Sequence, residues 1–116
     1  MKYLFLIYQD EALLERMPVA DAERIRAEYH DVADDLTVDG AYLGGGPLRP
    51  TSTATTLRFR DGALSTTDGP FAETKEQLGG YLLVEAEDLD RALEAAARLP
   101  AVRYGCVEVR PLAPLP

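Results

Sequence analysis

The beginning of the chain contains the feature that most restricts the fold. Lys2 to Tyr8 (KYLFLIY) is almost continuously apolar or aromatic and rich in β-favouring Tyr, Phe and Ile. A strand with this pattern is expected to be covered on both faces, so it predicts the central strand of a sheet. Gln9, Asp10 and Glu11 end the run before it reaches the length of a signal-peptide core.

Two helices are predicted on either side of the middle of the chain. Asp21 is placed to cap the first, in which apolar residues recur at three- and four-residue spacing, and Asp39-Gly40 ends it. The second helix begins near Asp88 and is predicted to end at Pro100. Each helix therefore has one face suited to packing on a sheet.

Short β-rich segments occupy the rest of the chain, and Asp61-Gly62 between two of them predicts a tight hairpin turn. The further predicted strands are Ala41–Leu43, Thr53–Phe59, Ala63–Thr67, Tyr81–Ala86 and Cys106–Arg110. This order of strands and helices is the split βαβ plan of a ferredoxin-like α+β sandwich with an antiparallel sheet. Two helices cover one face of such a sheet, so a second copy of the chain, in a homodimer, is expected to cover the other.

Composition narrows the class of protein. A chain of 116 residues predicts a single domain, residues 1–116, and no stretch approaches the roughly eighteen apolar residues of a membrane helix. Its 20 acidic and 12 basic residues give a net charge of −8, which disfavours binding to nucleic acid. One cysteine, Cys106, and one histidine, His30, are too few for a standard zinc site. We predict a cytoplasmic protein without metal or organic cofactor.

The segment from Thr66 to Glu85 (TTDGPFAETKEQLGGYLLVE) joins a long polar connection to a buried strand. Its core, Asp68-Gly-Pro-Phe71 followed by AETKEQLGG, resembles the signature of the DGPF branch of the YCII-related family. The start MKYLFLIY and the segments 52–56, 88–90 and 107–111 also match the family, so the resemblance covers nearly the whole chain.

The resemblance implies a dimeric α/β barrel, in which two sheets stack face to face and form a cleft near the dimer interface. Some members of the family are thought to be small enzymes, and others resemble accessory domains or genomic companions of alternative sigma factors. The YCII branch is associated with a histidine and an aspartate as an acid/base pair, the histidine lying on the first helix ahead of a Gly-Pro turn. Counting back from Gly46-Pro47 places that histidine at or beside Tyr29-His30.

Asp68 is the first candidate for catalysis. In one interpretation it is a general base, or anchors a ligand, on a rigid turn at the mouth of a cleft. In the other it is a turn residue whose carboxylate accepts hydrogen bonds from nearby main-chain N–H groups. His30 is the second candidate, because histidine titrates near neutral pH, although its place beside Asp31 also fits a surface histidine.

Four further residues are candidates for contacting a ligand. Glu73 and Lys75 present both signs of charge from the long loop, which otherwise reads as a solvated connection. Gly46 permits close approach of a ligand to the main chain, or serves as a bulge or hinge. Tyr81 is able to hydrogen-bond a ligand, or to act as a core or interface aromatic.

Two classes of function follow. The first is a small enzyme that binds a polar or aromatic metabolite and moves a proton by acid/base chemistry centred on Asp68. The second is a non-catalytic module that senses a ligand or contacts a protein such as an alternative sigma factor. We predict a cleft that binds a metabolite, as in the first class, and keep the second class as the alternative.

Overall fold

The computed structural model of the protein describes residues 1–115. Six strands are present in this range: β1 (Lys2–Gln9), β2 (Tyr42–Pro47), β3 (Thr55–Arg60), β4 (Ala63–Asp68), β5 (Gln77–Glu85) and β6 (Gly105–Pro111). The helices are α1 (Glu11–Glu15), α2 (Val19–Val38), α3 (Leu89–Ala96) and α4 (Ala101–Tyr104), and a 3-10 turn covers Thr51–Thr53.

Four of the strands form one antiparallel sheet in the order β2-β5-β1-β6. β1 pairs along its whole length with β5 on one side, from Lys2 opposite Glu85, and with β6 on the other, ending with Gln9 opposite Gly105. The apolar first segment is thus a central strand, as its composition predicts. The strand order and the helical crossovers confirm the ferredoxin-like α+β fold.

The core lies between this sheet and the helices on one of its faces. Alternate residues of β1 point into it, and Phe5 at their centre is 0% exposed. Leu82 and Val84 of β5 meet the buried face of α2 there, and Val32 is one of its contacts. Because the side-chain period of a strand is two, the intervening residues of β1 point to the opposite face, which no helix covers.

The first helical region is more divided than predicted. Asp10 accepts a hydrogen bond from the N–H of Ala12 and starts the extra helix α1, which the sequence analysis missed. α2 begins at Val19 behind Pro18, so the predicted cap at Asp21 lies inside the helix and is wrong. Pro18 is the N-cap residue and supplies no side-chain hydrogen bond, so the first turn of α2 has no side-chain cap.

The predicted end of this helix is confirmed. Gly40 adopts a φ of 73° and its N–H donates to the carbonyl oxygen of Thr37, while the N–H of Ala41 donates to Leu36. This pair of bonds is a Schellman motif, which requires a residue that tolerates the left-handed conformation.

The predicted hairpin forms, but it does not join the main sheet. Asp61 and Gly62 both have positive φ, 52° and 78°, which is the two-residue turn that Asp-Gly favours. β3 and β4 pair only with each other in a separate two-stranded sheet. β-propensity predicts a strand but not its neighbour, which explains why the sequence did not reveal this separation.

The second half of the chain follows the prediction with two corrections, the first of which is that β5 begins at Gln77, four residues before the predicted start at Tyr81. Asp88 caps α3 by accepting a hydrogen bond from the N–H of Arg91, as expected. The helix nevertheless ends at Ala96, and Pro100 precedes the additional short helix α4 instead of ending α3.

The resulting molecule is flat. It measures 48 × 46 × 19 Å, and its radius of gyration is 16.1 Å. A compact domain of this length has a radius of gyration of roughly 13 Å. The excess reflects the single layer of helices and the projecting hairpin, which together leave the second face of the sheet uncovered.

Candidate functional site

A cavity of about 620 Å³ lies between α2 and the sheet. Its wall on the sheet side includes Gly45 of β2 and Gly79 and Gly80 of β5, and small residues of α2, Ala22 and Ala33, line the opposite wall. These positions contribute little or no side-chain volume. The cavity therefore follows from glycines of the sheet facing alanines of the helix.

The main chains of β2 and β5 approach closely at this wall. A Cβ on Gly45 would lie 2.4 Å from the carbonyl oxygen of Tyr81, and Gly45 has a φ of 149°. Glycine is needed there because any side chain would collide with the neighbouring strand. Gly46, one of the predicted ligand-binding residues, follows it and also lines the cavity.

The polar groups of the cavity come mainly from α2. Arg26, Tyr29 and His30 all line it, because residues three and four apart lie on one face of a helix. Arg26 and His30 are exposed and so lie towards the opening, whereas Tyr29 is half-buried. The predicted position of the functional histidine, at or beside Tyr29-His30, is thus at the edge of a cavity.

A buried polar pair connects α2 to the end of β1. The side-chain amide of Gln9, which is 8% exposed, donates a hydrogen bond of 2.8 Å to the hydroxyl oxygen of Tyr29. Burial raises the pKa of the Tyr29 phenol, and the opposing effects of the Ala101 main chain and of Gln9 are smaller. The phenol is therefore protonated at neutral pH. Since Gln9 is the donor in their bond, the Tyr29 hydroxyl keeps its own proton for another acceptor.

Tyr81 borders the same cavity, but the geometry of β5 limits its part. Gly80 and Leu82, on either side of it, are buried on the helical face, whereas Tyr81 is 41% exposed. Strand alternation directs its ring to the uncovered face of the sheet. We expect the Tyr81 main chain to form the cavity wall, and its ring to belong to the open surface.

The remaining candidates lie elsewhere. Glu73 lines a separate, shallower cavity of about 390 Å³ beside Thr51 and Gly69, while Asp68 and Lys75 line neither cavity. Lys75 is exposed and has no ion pair among residues 1–115. The structure thus brings His30, Gly46 and Tyr81 to one cavity and separates them from Asp68, Glu73 and Lys75.

Asp68 is the last residue of β4, opposite Thr55, and its side chain is exposed. The turn that follows is held by other groups: the N–H of Gly69 donates to Ala54, and the Thr56 hydroxyl donates to the carbonyl of Gly69 at 2.8 Å. Within the described part of the chain the Asp68 carboxylate accepts no hydrogen bond, so the turn does not depend on it. Its predicted role in proton transfer stays a prediction.

We expect Asp68→Asn to change the free energy of unfolding by less than about 0.5 kcal/mol, as is usual for exposed residues without such bonds. Gly69→Ala is the matched comparison, because Gly69 has a φ of 97°. It is expected to cost about 1 kcal/mol or more through backbone strain. Urea denaturation of both variants tests this. A loss of about 1 kcal/mol for Asp68→Asn would contradict this prediction and show that the carboxylate stabilises the turn.

Cys106 is exposed on the uncovered face of the sheet. Its thiol donates a weak hydrogen bond to Glu76 at 3.9 Å. Desolvation, followed by the negative charges of Glu76 and Glu108, raises the pKa of the thiol. A thiol with a raised pKa is a poor nucleophile at neutral pH, so these surroundings do not activate it.

Neither a metal cluster nor a membrane-spanning helix is found in the described part of the chain. Among residues 1–115, no three His, Cys, Asp or Glu side chains are grouped so that they could hold a metal ion. The helices in this range all lack the combination of length and hydropathy that a bilayer-spanning helix needs.

Sequence reasoning missed two polar residues of the larger cavity, Gln9 and Arg26. A signal for Arg26 was present: it stands four residues before His30, the spacing that puts two side chains on one helical face. Gln9 carried no comparable signal. Its burial depends on the pairing of β1 with β6 and on the packing of α2 across the sheet.

Comparisons with known proteins agree with this fold. A family model described as the YCII-related domain matches residues 1–116. An uncharacterised protein of Rhizobium meliloti is 38% identical over 115 residues, which is 97% of this chain and 93% of that protein. A solved structure of the 5-chloro-2-hydroxyhydroquinone dehydrochlorinase of Burkholderia phenoliruptrix, in complex with 2,5-dihydroxybenzoquinone, is similar with a TM-score of 0.51 and 19% identity, over 97% of this chain and 94% of that one. At this identity the likeness to the enzyme concerns the fold.

Proposed function

The chain belongs to the YCII-related family, and on that basis we propose that its larger cavity binds a small hydroxylated aromatic molecule and that His30 exchanges a proton with it. The observation that carries the proposal is the convergence of His30 and Tyr29 on a cavity of about 620 Å³. Small-molecule sites are typically about 300–1,000 Å³, mostly apolar, with a few placed polar groups.

The lining of the cavity suits a planar ring. Ile7, Ile25 and Leu82 supply apolar surface, and the glycines of β5 leave a smooth wall against which a flat molecule fits. Tyr42 contributes a further aromatic side chain, whose hydroxyl donates to the carbonyl of Gly45 at 3.4 Å. The structurally similar dehydrochlorinase is named for a chlorinated hydroxyhydroquinone, a molecule of this size and class.

The two polar groups have complementary roles in proton transfer. The His30 imidazole accepts the proton of a ring hydroxyl, the O–H electron pair forms a carbonyl, and the proton is returned to a ring carbon, which completes the keto tautomer. In an elimination, a second ring hydroxyl then loses its proton, and a leaving group on that ring carbon departs with its bonding electrons. The protonated Tyr29 hydroxyl donates a hydrogen bond to the oxygen on which negative charge develops. These two groups could support either an isomerisation or an elimination.

Binding is tested by titrating isotope-labelled protein with catechol or hydroxyhydroquinone and following main-chain amide signals by NMR. The signals of Gly79 and Gly80 are expected to shift, and those of Gly62 in the hairpin turn serve as the internal control. Shifts confined to Gly69 and Glu73 would place the ligand at the smaller cavity, in disagreement with the proposal.

The assignment to the DGPF branch, which rests on the motif from Asp68 to Gly80, is part of the proposal, and so is the dimer. Leu4, Leu6 and Tyr8 of β1 lie on the uncovered face of the sheet, each only partly buried. A second copy stacked on this face would cover them, and it would explain why a stable chain is so flat.

Leu6→Arg is expected to weaken the dimer by about a hundredfold, since it would bury an unpaired charge between the two sheets. In the single chain Leu6 is partly exposed beside Glu108, so folding is retained. Val38→Arg, at an 86% exposed apolar residue on the helical side, is the control. Analytical ultracentrifugation measures both variants. A monomeric parent, or equal effects of the two changes, would contradict the stacked arrangement.

The projecting hairpin favours a second candidate function, a protein-interaction module of the kind associated with sigma-factor regulation. Leu57, Phe59 and Leu64 are 61%, 69% and 68% exposed, and Phe59 lies directly opposite Leu64. An isolated two-stranded hairpin is only marginally stable in water, so packing against a partner would stabilise it. Loss of affinity for a purified alternative sigma factor in Phe59→Ser, with the cavity unchanged, would support this candidate.

A further inference from the structure

The larger cavity differs in charge from the rest of the molecule. The chain has 20 acidic and 12 basic residues, yet no carboxylate lines this cavity within residues 1–115. The charged or titratable basic groups at its wall are Arg26 and His30, both exposed towards its opening. The cavity is thus a locally basic opening in an acidic protein.

Arg26 makes no ion pair with a carboxylate of its own helix among the described residues; Glu23, three residues before it, is exposed and unpaired as well. Arg24, two residues away, pairs with Asp21 at 2.9 Å. The carboxylate of Glu28 forms an ion pair with the guanidinium of Arg103 at a distance of 2.8 Å. Arg98, which follows α3, likewise forms an ion pair with Asp35. Among the described residues Arg26 has no such partner, so its guanidinium is available to a ligand.

The uncharged polar groups of the cavity favour the same kind of ligand. Tyr29 has a proton to donate, since Gln9 is the donor in the bond between them. Donors and a cation without a carboxylate fit a negatively charged oxygen and disfavour an ammonium group, which would find no counter-ion.

We infer that the ligand of this cavity is a small aromatic anion, an aryl carboxylate or a phenolate, and that Arg26 recognises its charge. The inference rests on the proposed function and names the substrate class for the same site. Arg26 acts at the opening, where its guanidinium pairs with the anionic group while the ring occupies the space above Gly79 and Gly80. The Tyr29 hydroxyl donates a hydrogen bond to a second oxygen atom of the ring.

The test compares para-hydroxybenzoate with para-hydroxybenzamide, two probes of nearly equal shape that differ in charge at neutral pH. Dissociation constants are measured from the NMR shifts of the Gly79 and Gly80 amides. The parent protein is expected to bind the anion about threefold more tightly, a typical gain for an ion pair at an exposed site. Arg26→Gln is expected to remove this preference by weakening the anion alone, and Arg24→Gln to keep it.

Each possible result supports or overturns the inference that Arg26 recognises the charge of the ligand. Equal affinity of the two probes for the parent, or a preference that survives in Arg26→Gln, overturns the inference and leaves the binding of an aromatic molecule intact. An equal loss of preference in Arg26→Gln and Arg24→Gln shows a general charge effect and also overturns it. If neither probe shifts the two glycine signals, both the inference and the proposed function fail.

Discussion

Replacing His30 with glutamine is expected to slow proton transfer to a cavity-bound ligand by about a hundredfold or more, the usual contribution of a general acid or base. The amide of glutamine keeps hydrogen-bonding capacity at this position but does not accept a proton at neutral pH. Because His30 is exposed at the cavity opening, the fold and the dissociation constant of the ligand should change little. The effect therefore belongs to the rate and not to binding.

Hydrogen exchange on the ligand ring measures this rate, whatever the overall reaction is. Ring hydrogens of hydroxyhydroquinone exchange with deuterium from the solvent when its keto and enol forms interconvert, and proton NMR follows their loss. The parent protein should accelerate the exchange and His30→Gln should not. Asp31→Asn is the control, since Asp31 is exposed beside His30 and does not line the cavity.

The same assay separates the two acid/base candidates that the sequence named. Asp68→Asn should leave the exchange rate unchanged, because Asp68 lines neither of the two cavities described above. If Asp68→Asn abolished the exchange while His30→Gln retained it, the proposed role of His30 would be wrong and the prediction from the sequence would be right.

Gly45→Ala is expected to lower the free energy of unfolding by more than about 3 kcal/mol, well beyond an ordinary substitution. Its Cβ would lie 2.4 Å from the carbonyl oxygen of Tyr81 and 3.0 Å from the Cα of Leu82, which are main-chain atoms that do not move aside easily. A φ of 149° adds backbone strain to this collision. The change therefore separates β2 from β5 and opens the wall of the cavity.

Gly46→Ala is the matched control for that change. A Cβ at Gly46 has no atom within 4 Å, and the residue lacks the positive φ of its neighbour. Its cost should stay below about 1 kcal/mol. Guanidinium denaturation compares the two variants. Equal midpoints would show that the close approach of β2 to β5 is not required.

The predictable parts of the fold have local causes. The apolar run of β1, the Asp-Gly turn and the cap at Asp88 each depend on neighbouring residues, so the sequence alone indicates them. The separation of the hairpin from the main sheet has no such cause. Thr55 to Arg60 carries the same β-propensity wherever it pairs, and the partner is decided by packing over the whole chain.

The candidate site also combines features that neighbouring residues indicate with features that depend on distant parts of the chain. The resemblance to the YCII branch, with counting back from Gly46-Pro47, placed the functional position at or beside Tyr29-His30, and these residues do line a cavity. The cavity itself was beyond prediction, because it requires Gly79 and Gly80 to lie opposite Ala22, far away along the chain. Asp68 attracted attention through turn chemistry, yet the main chain of Gly69 makes the bonds that hold the turn.

A crystal structure of the protein soaked with a small hydroxylated aromatic compound is the most stringent test of the proposed binding site. We predict a ring bound between α2 and Gly79-Gly80, with one oxygen within hydrogen-bond distance of the Tyr29 hydroxyl and His30 at the opening. A ring bound instead beside Glu73, or on the uncovered face of the sheet, with only solvent beneath α2, would show that the site lies elsewhere.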